Sequence, residues 1–163
     1  MRFLSEGIDV ADYHAAVELF FERGWTDGLA VVPPTEGLVE AMVRASGREP
    51  QEEVGEIPPA LGIATIEKLA INSVMAGCRP AYFPIIIAAV EAMLEPEHNL
   101  NGVQTTTHCC VPLVIINGPI AGELKMGHVP RLGESRAMYS AAASTSSQAG
   151  SVQTTVRAIG TCV

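Results

Sequence analysis

Two short stretches carry most of the side chains that could do chemistry. In the first, Lys68 and Asn72 stand four residues apart, and the chain then runs through Gly77, Cys78, Arg79 and Pro80. Residues at that spacing share one face of a helix. A guanidinium beside a thiol favours the thiolate, the form that attacks electrophiles and binds metals. A Gly-Cys-Arg-Pro loop also offers backbone groups to a ligand. The competing reading packs Cys78 beneath the loop as a small apolar group, with Arg79 solvated or paired with Glu67.

The second stretch is Thr105-Thr106-Thr107-His108-Cys109-Cys110. Histidine with cysteine offers a base and a nucleophile, or soft metal ligands. Successive residues of a strand point to opposite faces, so only one of the two thiols can share a site with His108. A four-ligand zinc site would need Cys78, His98 or Cys162 brought in by folding, and no standard zinc spacing occurs. No metal is expected. The alternative is a threonine-rich turn entering a strand, with both thiols in the core.

A third group is Trp25-Thr26-Asp27-Gly28, where Trp25 and Asp27 could line a pocket and contact a substrate. The same four residues also read as a turn, with tryptophan as a packing anchor and aspartate as a turn former. His14 falls on a surface helix. Glu91, alone on an apolar helix, needs a partner if buried; Lys68 and Arg79 are the natural ones. There is no GxGxxG after a strand, no P-loop, no GxSxG and no HExxH, so nucleotide-dependent chemistry and the common hydrolases have no motif behind them.

These residues must be held by a framework, and the apolar pattern supplies one. Residues 11–23 read as an amphipathic helix on Tyr13, Ala16, Val17 and Phe20, ended by Gly24. Residues 29–32 read as a short buried strand. Thr35 caps a second helix with Leu38, Met42 and Ala45 as its stripe, closed by Gly47. The acidic stretch 48–64 reads as loop, extended in part over 57–64, with Pro58-Pro59 breaking regular structure. Thr65 caps a third helix that buries Ile66, Leu69, Ala70 and Val74. Residues 82–94 form a fourth helix, apolar nearly all round and therefore central. Residues 111–116, VPLVII, read as a strand buried on both faces, followed by an Asn-Gly-Pro turn and a short helix. After Glu134 no acid occurs, and 140–151 is almost wholly Ser, Ala, Thr, Gln and Gly, a composition that reads as weakly structured.

The balance of charge narrows the function. The chain has 163 residues and a formal net charge of −8, with no lysine or arginine run to neutralise phosphates, so neither nucleic acid nor an anionic membrane is the expected partner. The most apolar stretch, 81–94, is interrupted by Pro84 and Glu91 and is too short to span a bilayer. The first residues do not read as a secretory signal, and four cysteines without a signal read as reduced thiols in the cytoplasm. Only 17% of residues are charged against 48% hydrophobic, which implies that some of the surface is covered by a partner subunit or by a missing segment of the same fold.

Three blocks, RGWTDGLAVVPPTEGLVEAM (23–42), GIATIEKLAINSVMAGCRPAYFPIIIAAVEAM (62–93) and GVQTTTHCCVPLVIINGPI (102–120), occur in this order. Together they resemble a poorly characterised bacterial family whose members follow, or are encoded near, a domain with a selenocysteine- or cysteine-Gly-Ser-Cys motif, the UGSC-type proteins. The likeness covers about residues 17–126. It implies a link to thiol or redox chemistry, although the Gly-Ser-Cys motif itself is missing here. The family strand is entered through His-Pro, whereas this chain has His108-Cys109-Cys110-Val111-Pro112. That favours His108 over the two cysteines as the shared residue. The family's glycine- and asparagine-rich continuation is reduced to fragments in HVPRLGESRAMYSAAASTSSQAG, so a site using it would be incomplete.

The expected fold is therefore α/β, helices packed on a small, partly parallel sheet, in one domain over residues 1–130 with a divergent tail at 131–163. The expected function is that of an accessory or assembly domain, either homo-oligomeric or packed on a UGSC-type partner. The alternative is a thiol or redox enzyme of small molecules, inactive in this divergent form, using Cys78, His108 and Lys68 as catalytic groups and Asn72, Arg79, Asp27 and Trp25 to bind substrate. No cofactor is named by the sequence.

Overall fold

A computed structural model describes residues 1–108, 111–116 and 118–124. The expectations for the tail at 131–163, and for Cys109, Cys110 and Cys162, lie outside the described residues.

The chain is α/β. It runs α1 (Tyr13–Glu22), α2 (Glu36–Ser46), β1 (Glu53–Ile57), β2 (Gly62–Thr65), α3 (Ile66–Met75), α4 (Phe83–Leu94), α5 (Leu100–Thr105) and α6 (Pro119–Glu123), with 3-10 turns at Pro80–Tyr82 and Pro96–His98. The helix ends follow the sequence signals. Asp12 Oδ1 accepts from Ala15 N at 2.9 Å and starts α1. Thr65 Oγ1 accepts from Lys68 N and starts α3. Gly47 closes α2 at φ 67°, a left-handed conformation that glycine adopts without a Cβ clash. Thr35 precedes α2 as expected, but its side chain makes no capping bond.

The sheet is smaller than expected and has no parallel pair among the described residues. β1 and β2 form an antiparallel hairpin, with Glu56 opposite Ile63 and Ile57 opposite Gly62. β1 falls in the acidic stretch read as loop. Glu56 is exposed and its neighbour Ile57 buried, as on opposite faces of a strand, while Glu53 is exposed beyond a register shift between Glu53 and Gly55.

The core lies between α2, α3, α4 and the hairpin, filled by Met42, Val43, Ile57, Leu69, Phe83 and Ile86. α2 contributes Val39, Met42 and Val43, while Leu38 is 45% exposed. The buried stripe is thus rotated by one position from the Leu38–Met42–Ala45 stripe read from the sequence. Gly55 lets β1 approach α4 closely: a Cβ there would lie 2.7 Å from Leu94 Cδ1.

Two expected strands are absent. Residues 29–32 join no ladder; Val32 N donates to the Met75 carbonyl at 3.1 Å, a single bond that ties this segment to the end of α3. Residues 111–116 are not buried on both faces and join neither strand of the sheet. Their exposure alternates, with Pro112, Val114 and Ile116 half-buried and Val111, Leu113 and Ile115 exposed. α4 explains this. One of its faces, Phe83, Ile86, Ile87, Val90 and Met93, enters the core. The other, with Pro84, Ile85, Ala88, Ala89 and Ala92, lines an open groove of about 570 Å³ shared with residues 112–116. Among the described residues the segment therefore lines a groove with α4 and pairs in no sheet.

Candidate functional site

Cys78 sits where α3 ends. Its amide donates to the Ser73 carbonyl at 2.9 Å, closing the helix around Gly77, whose φ is 76°. The thiol is buried, and burial pushes it up to about 12. That corrects the expected lowering by Arg79: loss of solvent disfavours the thiolate, and the Arg79 side chain is exposed. At neutral pH Cys78 is a thiol in the core, as the packing alternative holds.

Lys68 and Asn72 do share a face of α3, but their polar groups are turned on the protein itself. Lys68 Nζ donates to the Ile63 carbonyl at 2.8 Å and so ties the first turn of α3 to β2. Asn72 Nδ2 donates to the Lys68 carbonyl at 2.8 Å and is buried. Ser73 bonds back to the Leu69 carbonyl in the same way. Arg79 starts the 3-10 turn, with its carbonyl accepting from Tyr82 N.

His108 lies beyond α5 and is exposed; its amide donates to Thr106 Oγ1 at 3.2 Å. The described residues show no hydrogen bond between His108 and Cys78, and one is at the surface while the other is in the core. Among the described residues, no hydrogen bond links Cys78, His108 and Lys68.

Trp25 and Asp27 shape the turn after α1. Trp25 N donates to the Phe20 carbonyl at 2.8 Å, its ring lies 5.6 Å from that of Phe20, and the Arg23 guanidinium lies over it at 5.8 Å. Asp27 Oδ1 accepts from Leu29 N, and Thr26 Oγ1 donates to the Leu29 carbonyl. These are the contacts of a packed tryptophan and an Asx-type turn.

Two carboxylates are placed differently from the expectation. Glu91 is exposed and paired with Arg48, not with Lys68 or Arg79. Glu67 is the buried one. Its carboxylate accepts from Leu4 N, Ser5 N and Gln51 Nε2. The sequence carried a faint signal for this: Glu67 stands in the first turn of α3 between the core residues Ile66 and Leu69. Its two backbone donors lie 63 and 62 residues away and Gln51 lies 16 away, which no local pattern reveals.

No group of three metal-ligating side chains occurs among the described residues. His98 shares the α4 groove, and its Nε2 is buried with no hydrogen-bond partner among the described residues. Within the described residues no helix is long and apolar enough to cross a membrane. In comparison with known proteins, the chain matches no family model, no curated protein and no solved structure.

Proposed function

We propose that this chain is an accessory or assembly domain that works by packing on another polypeptide, a second copy of itself or a UGSC-type partner. One observation carries the reading. On the segment that covers α4, Val111, Leu113 and Ile115 are 55%, 76% and 72% exposed, and the groove beside them is lined largely by aliphatic side chains. Large apolar groups left together in water mark a surface that is covered in use. Lys68 and Asn72 are meanwhile spent on internal bonds, and Cys78 is buried while His108 is exposed. The site thus favours docking over thiol chemistry.

Sedimentation velocity across a dilution series tests this, with and without a UGSC-type protein. Association by the unaltered chain that is weakened in Leu113→Asp and insensitive to moderate salt supports the reading, because apolar burial is its driving force. A monomer at every concentration, with or without the second protein, overturns it.

A further inference from the structure

We infer that Glu67 is a clamp that holds the N-terminal segment of the chain on α3, and that loss of its negative charge lets that segment go while the helical core stays folded. The carboxylate is 2% exposed. Leu4 N lies 3.2 and 3.1 Å from its two oxygens and Ser5 N lies 2.7 Å from Oε1, with Gln51 Nε2 as a third donor. Two successive backbone N–H groups thus converge on one anion, and the N-terminal turn of α3 adds its own favourable field. The helix turn is itself fixed, since Glu67 N donates to the Pro50 carbonyl at 2.8 Å and Ile66 N to that of Glu52.

Among the described residues, few other contacts hold the segment. Phe3 packs against the edge of the core, and the Met1 amine stands 3.7 Å from Glu40. Residues 4–12 are otherwise exposed. The next tie is Val32 N to the Met75 carbonyl, at the far end of α3. Between these two ties lies α1, whose Phe20 packs on Trp25 from the same stretch. The N-terminal stretch is therefore a strap fastened at both ends of α3, and Glu67 is the polar fastening at the outer one.

The charged groups on the surrounding elements do not replace it. On the strap, Arg2 and Glu6 are exposed; on the preceding loop and hairpin, Glu49 and Glu53 are exposed. Arg48 is committed to Glu52 and Glu91, and Lys68 to the Ile63 carbonyl. Burial works to raise the Glu67 carboxyl, but the bonds from Ser5, Leu4 and Gln51 overcome it and hold it below the usual glutamate range. A carboxyl depressed in the folded state keeps its clamp above that range and loses it as the pH falls through the lowered value.

Amide hydrogen exchange on the full chain tests the clamp. At neutral pH, Leu4 and Ser5 should be protected. Glu67→Gln keeps the shape but sets an amide N–H₂ against the donors, and should cut their protection by roughly 10- to 100-fold, the worth of hydrogen bonds to a charged group. Amides in α3 and α4 should stay protected. Ser5→Pro removes one donor without touching α3 and should release the strap in the same way, which keeps the test decisive if Glu67→Gln fails to fold. In the unaltered chain, the Leu4 and Ser5 amide resonances should titrate together at a pH below the usual glutamate value. Unprotected Leu4 and Ser5 in the unaltered chain, or Leu4 protection left intact by Ser5→Pro, overturns the inference.

Discussion

Arg48 joins Glu91 across the core's edge: its guanidinium, just beyond the end of α2, reaches the carboxylate on α4 while also pairing with Glu52 at 2.9 Å. Hydrogen bonds to the two glutamates hold Arg48 protonated more firmly than usual, and the same contact lowers Glu52. All three side chains meet water, so the bridge fixes an orientation more than it stabilises the fold.

The expected outcome of Arg48→Met is therefore small. Its melting temperature should fall by no more than a few degrees (about 5 °C), and the difference from the unaltered chain should shrink as salt is added. Thermal melts at low and high ionic strength check this. A large, salt-independent loss would mean that the arginine's stem, and not its charge, supports α2 against α4.

Gly47 offers a backbone test without packing. A Cβ placed there meets nothing within 4 Å, yet φ is 67°. Gly47→Ala should cost about 1–2 kcal/mol, the left-handed penalty alone, measured by denaturant unfolding with an unchanged m-value.

How much of this was legible in the residues depends on range. Thr65 and Gly47 mark helix ends through bonds or torsions within a few residues, and each is readable, whereas the Asp12 cap of α1 is seen only in the structure. The apolar face of α3 was readable for the same reason, because Ile66, Leu69, Ala70 and Val74 repeat at the helical spacing. The segment 111–116 was misread because six apolar residues carry no information on whether a strand or a helix will cover them. Here α4 takes the inner three, and no strand of the sheet takes the others. Glu67 shows the same limit for a polar group. Its partners come from the first residues of the chain and from Gln51, so its sequence neighbourhood suggests only an ion pair with Arg79. Cys78 was read through the arginine beside it, yet adjacency in sequence did not decide the charge state; depth did.

That depth gives the next expectation. Cys78 should react slowly with iodoacetamide in the native state at neutral pH and rapidly once the chain is unfolded, because the attacking thiolate is disfavoured by burial. Peptide mapping by mass spectrometry reads the site directly. Linkage adds a pH signature. The unfolded thiol ionises near its ordinary value of 9.0, whereas the folded one resists to about 12. This contribution to stability is complete below pH 9 and declines as the pH rises towards 12. Native labelling of Cys78 as fast as a small free thiol would show that the loop at Gly77 opens readily.

The two faces of α4 give the sharpest contrast. Phe83 is fully buried between α2, α3 and the hairpin, whereas Ile115, over the opposite face, is 72% exposed. Truncating Phe83 removes a ring from a packed interior and leaves a cavity. Phe83→Ala should therefore lower unfolding free energy by about 3–5 kcal/mol. Ile115→Ala removes apolar area that is already wet, so the isolated chain should change by about 0.5 kcal/mol or less. Chemical denaturation at low protein concentration measures both. Raising the concentration then separates stability from docking: if Val111, Leu113 and Ile115 are covered by a second copy, the unaltered chain gains stability by mass action and Ile115→Ala gains less. Phe83→Ala should keep the concentration dependence while starting from a lower value. Equal losses from both truncations at low concentration would mean that residues 111–116 belong to the folded core as firmly as the inner face of α4 does.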